Sequence, residues 1–132
     1  MKILSTLKAF YKYISSQGLD KNLIHEEKGD GFVVVSFPDG DDNGNIYDIA
    51  VVFYDNNDDT EIYVRKPVKN YDELTLLRKI NALNCEYSDV TFLVDNNMLT
   101  IKSHISSQGK LKNILIKMLS DVQLAQEEFV KI

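Results

Sequence analysis

Apolar residues recur at helical spacing in some segments of the chain and alternate with polar residues in others. Three segments have the helical spacing: 2–17, 71–84 and 110–131. Five segments are rich in β-branched residues or alternate with period two, which predicts strands: 32–37, 46–54, 61–66, 90–94 and 98–103. The predicted order of elements is α-β-β-β-α-β-β-α.

The helical stripes predict which side chains face the core. In the second helix the stripe consists of Leu74, Leu76, Leu77, Ile80 and Leu83; in the third it consists of Leu111, Ile114, Leu115, Met118, Leu119, Val122, Ala125 and Phe129. Short loops join the strands, so we expect a five-stranded antiparallel sheet packed by helices. The class is α+β, in one domain over residues 1–132. Helices on one face of the sheet would leave the other face wet or paired with a second copy.

Composition narrows the partners and the location. The net charge of -5 and the pI near 4.9 argue against a nucleic acid or an anionic membrane as partner, because both need a basic surface. The one cysteine, Cys85, excludes an internal disulfide. No apolar run approaches a membrane span. Lys8 and Lys12 interrupt the apolar N-terminal run, so we expect no signal peptide and a cytoplasmic location.

The second half of the chain resembles a known family. The pattern Leu76-Leu77-x-x-Ile80-Asn81-x-x-Asn84, followed by Phe92-x-x-Asp95-x-x-x-Leu99 and a long amphipathic helix, resembles YbjN-type domains. These are also labelled putative bacterial sensory transduction regulators, and their fold is similar to that of type III secretion chaperones. The resemblance implies a chaperone-like α+β fold and a binding role, with no catalytic residues and an unnamed partner.

One loop has part of a calcium-binding pattern. Asp39-x-Asp41-x-Asn43-Gly44-x-Ile46 resembles the first eight positions of an EF-hand loop, in which alternate oxygen ligands surround the ion. The twelfth position, which needs a bidentate carboxylate, is Ala50. The flanks are predicted strands and not helices. A solvated hairpin turn is therefore the favoured interpretation, and no cofactor is predicted.

Acidic residues are concentrated in one segment. Residues 39–61 contain eight Asp or Glu and no Lys or Arg. They fall mainly into two predicted turns, 39–42 and 55–59, at opposite ends of a nine-residue strand and about 30 Å apart. Screening makes the two clusters act separately. Two solvated turns are favoured, and an immunity-type inhibitor that masks a toxin with an acidic loop is an alternative.

No nucleophile, base or metal-ligand motif is complete. His25 lacks the second histidine of a zinc-peptidase helix, and His104 stands alone after a strand. Cys85 follows a helical stripe and is predicted to be a small buried or half-buried apolar residue. A small enzyme would need at least two of these three residues to meet in a pocket. The favoured prediction is that the protein is not an enzyme.

The width of the last apolar stripe indicates an interaction surface. Ile116 and Leu124 fall outside the core positions of the third helix, and Tyr13 lies off the stripe of the first. Extra apolar flank is typical of a subunit interface or a peptide groove. We therefore predict a protein-binding, chaperone-like or regulatory module that is a homodimer, with Ile116, Leu124 and Tyr13 as the partner-binding residues.

Overall fold

The computed structural model describes residues 2–55, 59–105 and 111–132. Its helices are α1 (Lys2–Ser16), α2 (Glu73–Glu86) and α3 (Leu111–Glu128), with short 3-10 turns at Lys21–Leu23 and Phe129–Lys131. Its strands are β1 (His25–Gly29), β2 (Phe32–Gly40), β3 (Ile46–Tyr54), β4 (Thr60–Pro67), β5 (Thr91–Asp95) and β6 (Met98–Ile105). The class is therefore α+β, as predicted.

The sheet has six strands in the order β1-β2-β3-β4-β6-β5, and every neighbouring pair is antiparallel. The prediction of five strands is wrong, because residues 25–29 form a sixth strand, β1, at the edge of the sheet. Its sequence, His-Glu-Glu-Lys-Gly, is exposed on both faces. An edge strand without a buried face has no apolar alternation to reveal it.

One face of the sheet forms the core with all three helices. On β3 this face carries Tyr47, Ile49, Val51 and Phe53, which are all at most 2% exposed. The same buried cluster contains Phe10 of α1, along with side chains of α2 and α3. The helices therefore lie on one side of the sheet. No described helix contributes to the opposite side, named here the open face.

Two turns have the backbone conformation that their residues predict. Gly18 ends α1 with a φ of 81°, a left-handed conformation that glycine adopts without strain. Asn96 and Asn97 join β5 to β6 with φ values of 50° and 61°. Positive φ at both central residues is typical of the tight hairpin turn that matches the twist of the strands.

The second helix is shifted relative to its predicted bounds. It begins at Glu73, because the carboxylate of Asp72 accepts a hydrogen bond from the Thr75 N–H at 3.0 Å and caps the helix. Only part of its predicted stripe is buried: Leu76, Ile80 and Leu83 are in the core, whereas Leu74 and Leu77 are 57% and 45% exposed. Asn84 lies inside the helix, and the C-terminal cap is Tyr87.

Candidate functional site

A cleft between α1 and α3 contains the predicted contact residue Tyr13. The cleft has a volume of about 370 Å³, and its lining includes Tyr13 and Ile14 of α1 and Met118, Leu119 and Val122 of α3. Tyr13 is half-buried and packs against the core. Most of this lining is apolar, so the cleft suits an apolar side chain.

Ile116 and Leu119 project from α3 into solvent. They are 58% and 55% exposed, and their three-residue spacing makes them neighbours on the helix surface. The prediction that Leu119 faces the core is wrong. It follows Met118, which is 4% exposed, and one residue turns the helix by about 100°. The apolar stripe is therefore wider than the part that the sheet buries.

Leu124 does not share the surface that contains Ile116 and Leu119. It is half-buried and packs against the core cluster. It lies five positions after Leu119, which places the two about 140° apart around the helix axis. The three predicted binding residues thus separate: Tyr13 and Leu119 border one cleft, Ile116 lies beside Leu119, and Leu124 lies on another flank.

The outward side of α3 is named here the α3 stripe. It consists of Lys112, Ile116, Leu119, Gln123 and Glu127, spaced four, three, four and four residues apart and all exposed. Two large apolar residues occupy its centre, with a positive charge at its first residue and a negative charge at its last. Such a patch is typical of a contact with another helix.

A second cleft lies between α1 and the edge strand β1. It has a volume of about 430 Å³ and is lined by Tyr11, Lys12, Ser15, Lys21, Ile24 and Glu26. The Tyr11 hydroxyl donates to Glu26 Oε1 at 2.7 Å. Burial, together with this contact to a carboxylate, raises the pKa of Tyr11. Tyr11 therefore stays a neutral donor to Glu26.

On the open face, Glu61 is held by three neighbours. The hydroxyls of Tyr54 and Tyr63 donate to its carboxylate, and the Lys102 ammonium lies 3.2 Å from Oε2. Desolvation works to raise the pKa of Glu61, but these donors outweigh it and the pKa is lowered. The bond to Glu61, with burial, raises the pKa of Tyr54 to about 12. This arrangement keeps Glu61 ionised and Tyr54 protonated, and the Glu61 carboxylate is engaged by its donors and is not a free base.

The acidic segment is more neutralised than the sequence indicated. Asp48 pairs with Arg65, Glu61 with Lys102, and Asp59 lies 3.5 Å from His104. These partners come from β4 and β6, which only the sheet register brings beside the segment. Asp58 lies outside the described residues.

A buried carboxylate on α3 was not anticipated. Asp121 is 1% exposed, accepts a hydrogen bond from Ser103 of β6 and lies 3.3 Å from the Lys117 ammonium through Oδ1. That oxygen accepts no hydrogen bond among the described residues. Burial raises the pKa of Asp121, and Ser103 and Lys117 lower it less than burial raises it. The polar residue inside an apolar stripe was the available signal.

The loop with the calcium-like pattern is a hairpin closed by Asp41. Its carboxylate accepts hydrogen bonds from the N–H groups of Asn43 and Asn45, both at 2.9 Å, and from the Asn45 amide at 3.0 Å. Desolvation works against these bonds, yet the pKa of Asp41 is lowered. The ligand that would be central to a cation site is thus engaged within the turn. Among the described residues, no group of three or more His, Cys, Asp or Glu could hold a metal.

The candidate catalytic residues are not brought together. His25 is on β1 and His104 on β6, and four strand spacings separate these strands, or about 19 Å. Cys85 is exposed on α2, so the prediction that it is buried is wrong. In the described part of the chain, no hydrogen bond or ion pair joins Cys85 to a histidine.

No family model, no curated protein and no solved structure matches the chain. The resemblance to YbjN-type domains therefore stays a prediction. None of the described helices is both long and apolar enough to cross a bilayer.

Proposed function

We propose that this protein is a cytoplasmic, non-enzymatic protein-binding module, chaperone-like or regulatory, that acts as a homodimer. The observation that carries the proposal is the pair Ile116 and Leu119. Both are more than half exposed at the centre of the α3 stripe, beside the apolar cleft that contains Tyr13. Large apolar side chains that adjoin a cleft are typical of protein contacts.

The charges of the α3 stripe favour a second copy of the chain as the occupant. In an isologous dimer each patch faces itself. If two α3 helices pack antiparallel, Lys112 lies near the partner's Glu127, and the same pair forms twice. In that register Leu119 of one copy packs against Leu119 of the other, and each Ile116 lies opposite Gln123 of the second copy. A parallel arrangement would place like charges together.

A stable dimer interface needs more area than α3 provides, so the proposed interface includes part of α1. A stable interface buries about 800 Å² on each partner. The 18 residues of α3 provide a strip about 27 Å long and about 10 Å wide. That strip alone is too small, so Tyr13 and the cleft beside Leu119 are included in the proposed interface.

The proposal is tested by measuring molecular mass in solution by light scattering over a range of concentrations. We expect twice the chain mass of 15.1 kDa. Ile116→Asp and Leu119→Asp should each give the monomer. Leu74→Asp is the matched control, because Leu74 is equally exposed on α2 at 57%. A monomer at every concentration, or a dimer that survives both α3 substitutions, would contradict the proposal.

A further inference from the structure

The two edge strands of the sheet, β5 and β1, differ in whether their outward backbone groups have hydrogen-bond partners. At the β5 edge, the Asn84 carboxamide of α2 bonds to both backbone groups of Phe92. At the β1 edge, no described hydrogen bond covers the outer side, and all five residues of β1 are exposed. Alternate residues of an antiparallel edge strand direct their N–H and C=O away from the sheet. β1 therefore offers free backbone groups to an additional strand.

The lining of the cleft beside this edge contains two Lys and one acidic residue, although the chain as a whole has a net charge of -5. Lys12 and Lys21 line the cleft between α1 and β1. Glu26, the one acidic residue in that lining, is engaged by the Tyr11 hydroxyl and lies 3.9 Å from the Lys28 ammonium. The negative charge of Glu26 is therefore offset by its neighbours more fully than the positive charges of Lys12 and Lys21 are.

We propose that the β1 edge and this cleft bind an extended acidic segment of a partner protein, which pairs with β1 as a seventh strand. Successive side chains of a strand point to opposite faces. Acidic residues at alternate positions would therefore meet Lys12 and Lys21, and the backbone would pair with β1. The five residues of β1 span about 17 Å, which suits a partner segment of five or six residues.

The charges on β1 give this edge selectivity. Charged side chains on an edge strand discourage pairing with neutral strands and so protect against aggregation. On β1 itself, Glu26 and Lys28 lie on the α1 side of the sheet and offset each other, and Glu27 lies on the open face. An acidic side chain on the α1 side of an added strand therefore meets Lys12 and Lys21 of the cleft. The inference rests on the proposed protein-binding role, but it does not depend on the dimer, because β1 and the α3 stripe have no residue in common.

The test uses a fluorescently labelled decapeptide of alternating Glu and Val, with a Lys/Val peptide of the same length as control. We expect saturable binding of the Glu/Val peptide, at least about tenfold tighter than the control. Lys12→Glu combined with Lys21→Glu should weaken binding about tenfold. Lys69→Glu combined with Arg78→Glu changes the net charge equally, at exposed positions outside the cleft, and should leave the Kd within about twofold.

Hydrogen exchange followed by NMR separates strand addition from nonspecific charge attraction. Bound peptide should protect amides within 25–29 that exchange freely without it. No saturable binding, equal affinity for both peptides, or binding without this protection would overturn the inference. Protection that increases with protein concentration and without peptide would also overturn it, since a second copy would then be the occupant. Peptide binding by monomeric Ile116→Asp supports this inference even where wild-type dimerisation is not found.

Discussion

The side-chain amide of Asn84 bonds to both backbone groups of Phe92. Its Nδ2 donates to the Phe92 carbonyl at 2.8 Å, and its Oδ1 accepts from the Phe92 N–H at 2.6 Å. Asn84 is on α2 and Phe92 is on the edge strand β5, so one side chain takes the place of a neighbouring strand. It fastens the helix to the sheet and closes an edge that would otherwise be open to pairing.

Asn84→Leu should therefore destabilise the protein. Leucine has a similar volume but no polar atoms, so both Phe92 groups lose their partner, at a cost of about 1–2 kcal/mol in the free energy of unfolding. Urea unfolding measures the cost, and the Phe92 amide should exchange faster. Asn81→Leu is the control, since Asn81 is exposed on the same helix. Equal stability of the two variants would show that the amide bridge contributes nothing.

Asp121 should make stability depend on pH. Its pKa is raised in the folded protein, chiefly by burial, although Ser103 and Lys117 act against the rise. Its ionised form therefore costs stability above the folded pKa, and wild type regains that stability as pH falls toward the unfolded pKa of about 3.9. Asp121→Asn removes the titration.

The stability of Asp121→Asn relative to wild type should therefore be greatest near neutral pH and decrease as pH falls. Asp89 titrates in the opposite sense, because Lys117 lowers its pKa. Both proteins retain Asp89, so most of its titration cancels in the difference, and only its coupling to Asp121 through the shared Lys117 remains beside the titration of Asp121 itself. Urea unfolding at several pH values measures this difference, and parallel curves would be inconsistent with an ionised, desolvated Asp121.

Hydrophobic periodicity predicted the elements that bury a face. The stripes of α1 and α3 and the alternation of β3 could be identified because burial imposes a spacing on apolar residues. The pairing of charged residues could not be predicted in this way. Asp48 and Arg65 are seventeen residues apart, and only the β3–β4 register brings them together.

The candidate surfaces could be predicted only in part. The spacing predicts that Ile116 lies outside the core, and Ile116 is exposed. It also predicts that Leu119 faces the core, because spacing shows which residues share a stripe but not how much of that stripe the sheet covers. The cleft beside β1 was not predicted, since the strand itself has no buried face and therefore no periodic signal.

Gly29 leaves room for an aromatic ring. A Cβ at this position would lie 2.0 Å from Cζ of Phe32, so the Phe32 ring covers the glycine of the neighbouring strand. Gly29→Ala should displace the ring and destabilise the protein by about 1 kcal/mol. In a Phe32→Ala background the same change should be neutral or stabilising, because alanine restricts the unfolded chain more than glycine does. Thermal unfolding of wild type, the two single variants and the double variant measures these effects. An equal effect of Gly29→Ala in both backgrounds would exclude the Phe32 ring as the cause.

The antiparallel arrangement of the proposed dimer can be tested by exchanging charges. Lys112→Glu places an acid near the partner's Glu127 and should weaken dimerisation, and Glu127→Lys should do the same by opposing lysines. The double variant restores opposite charges and should recover the dimer. Each single change costs about 0.5–1 kcal/mol per pair, and the symmetry doubles it, so the dissociation constant should rise about five- to thirtyfold. Sedimentation at low ionic strength measures it. A double variant as weak as the sum of the singles would rule out this pairing, because nothing else in the α3 stripe links the two ends of the helix.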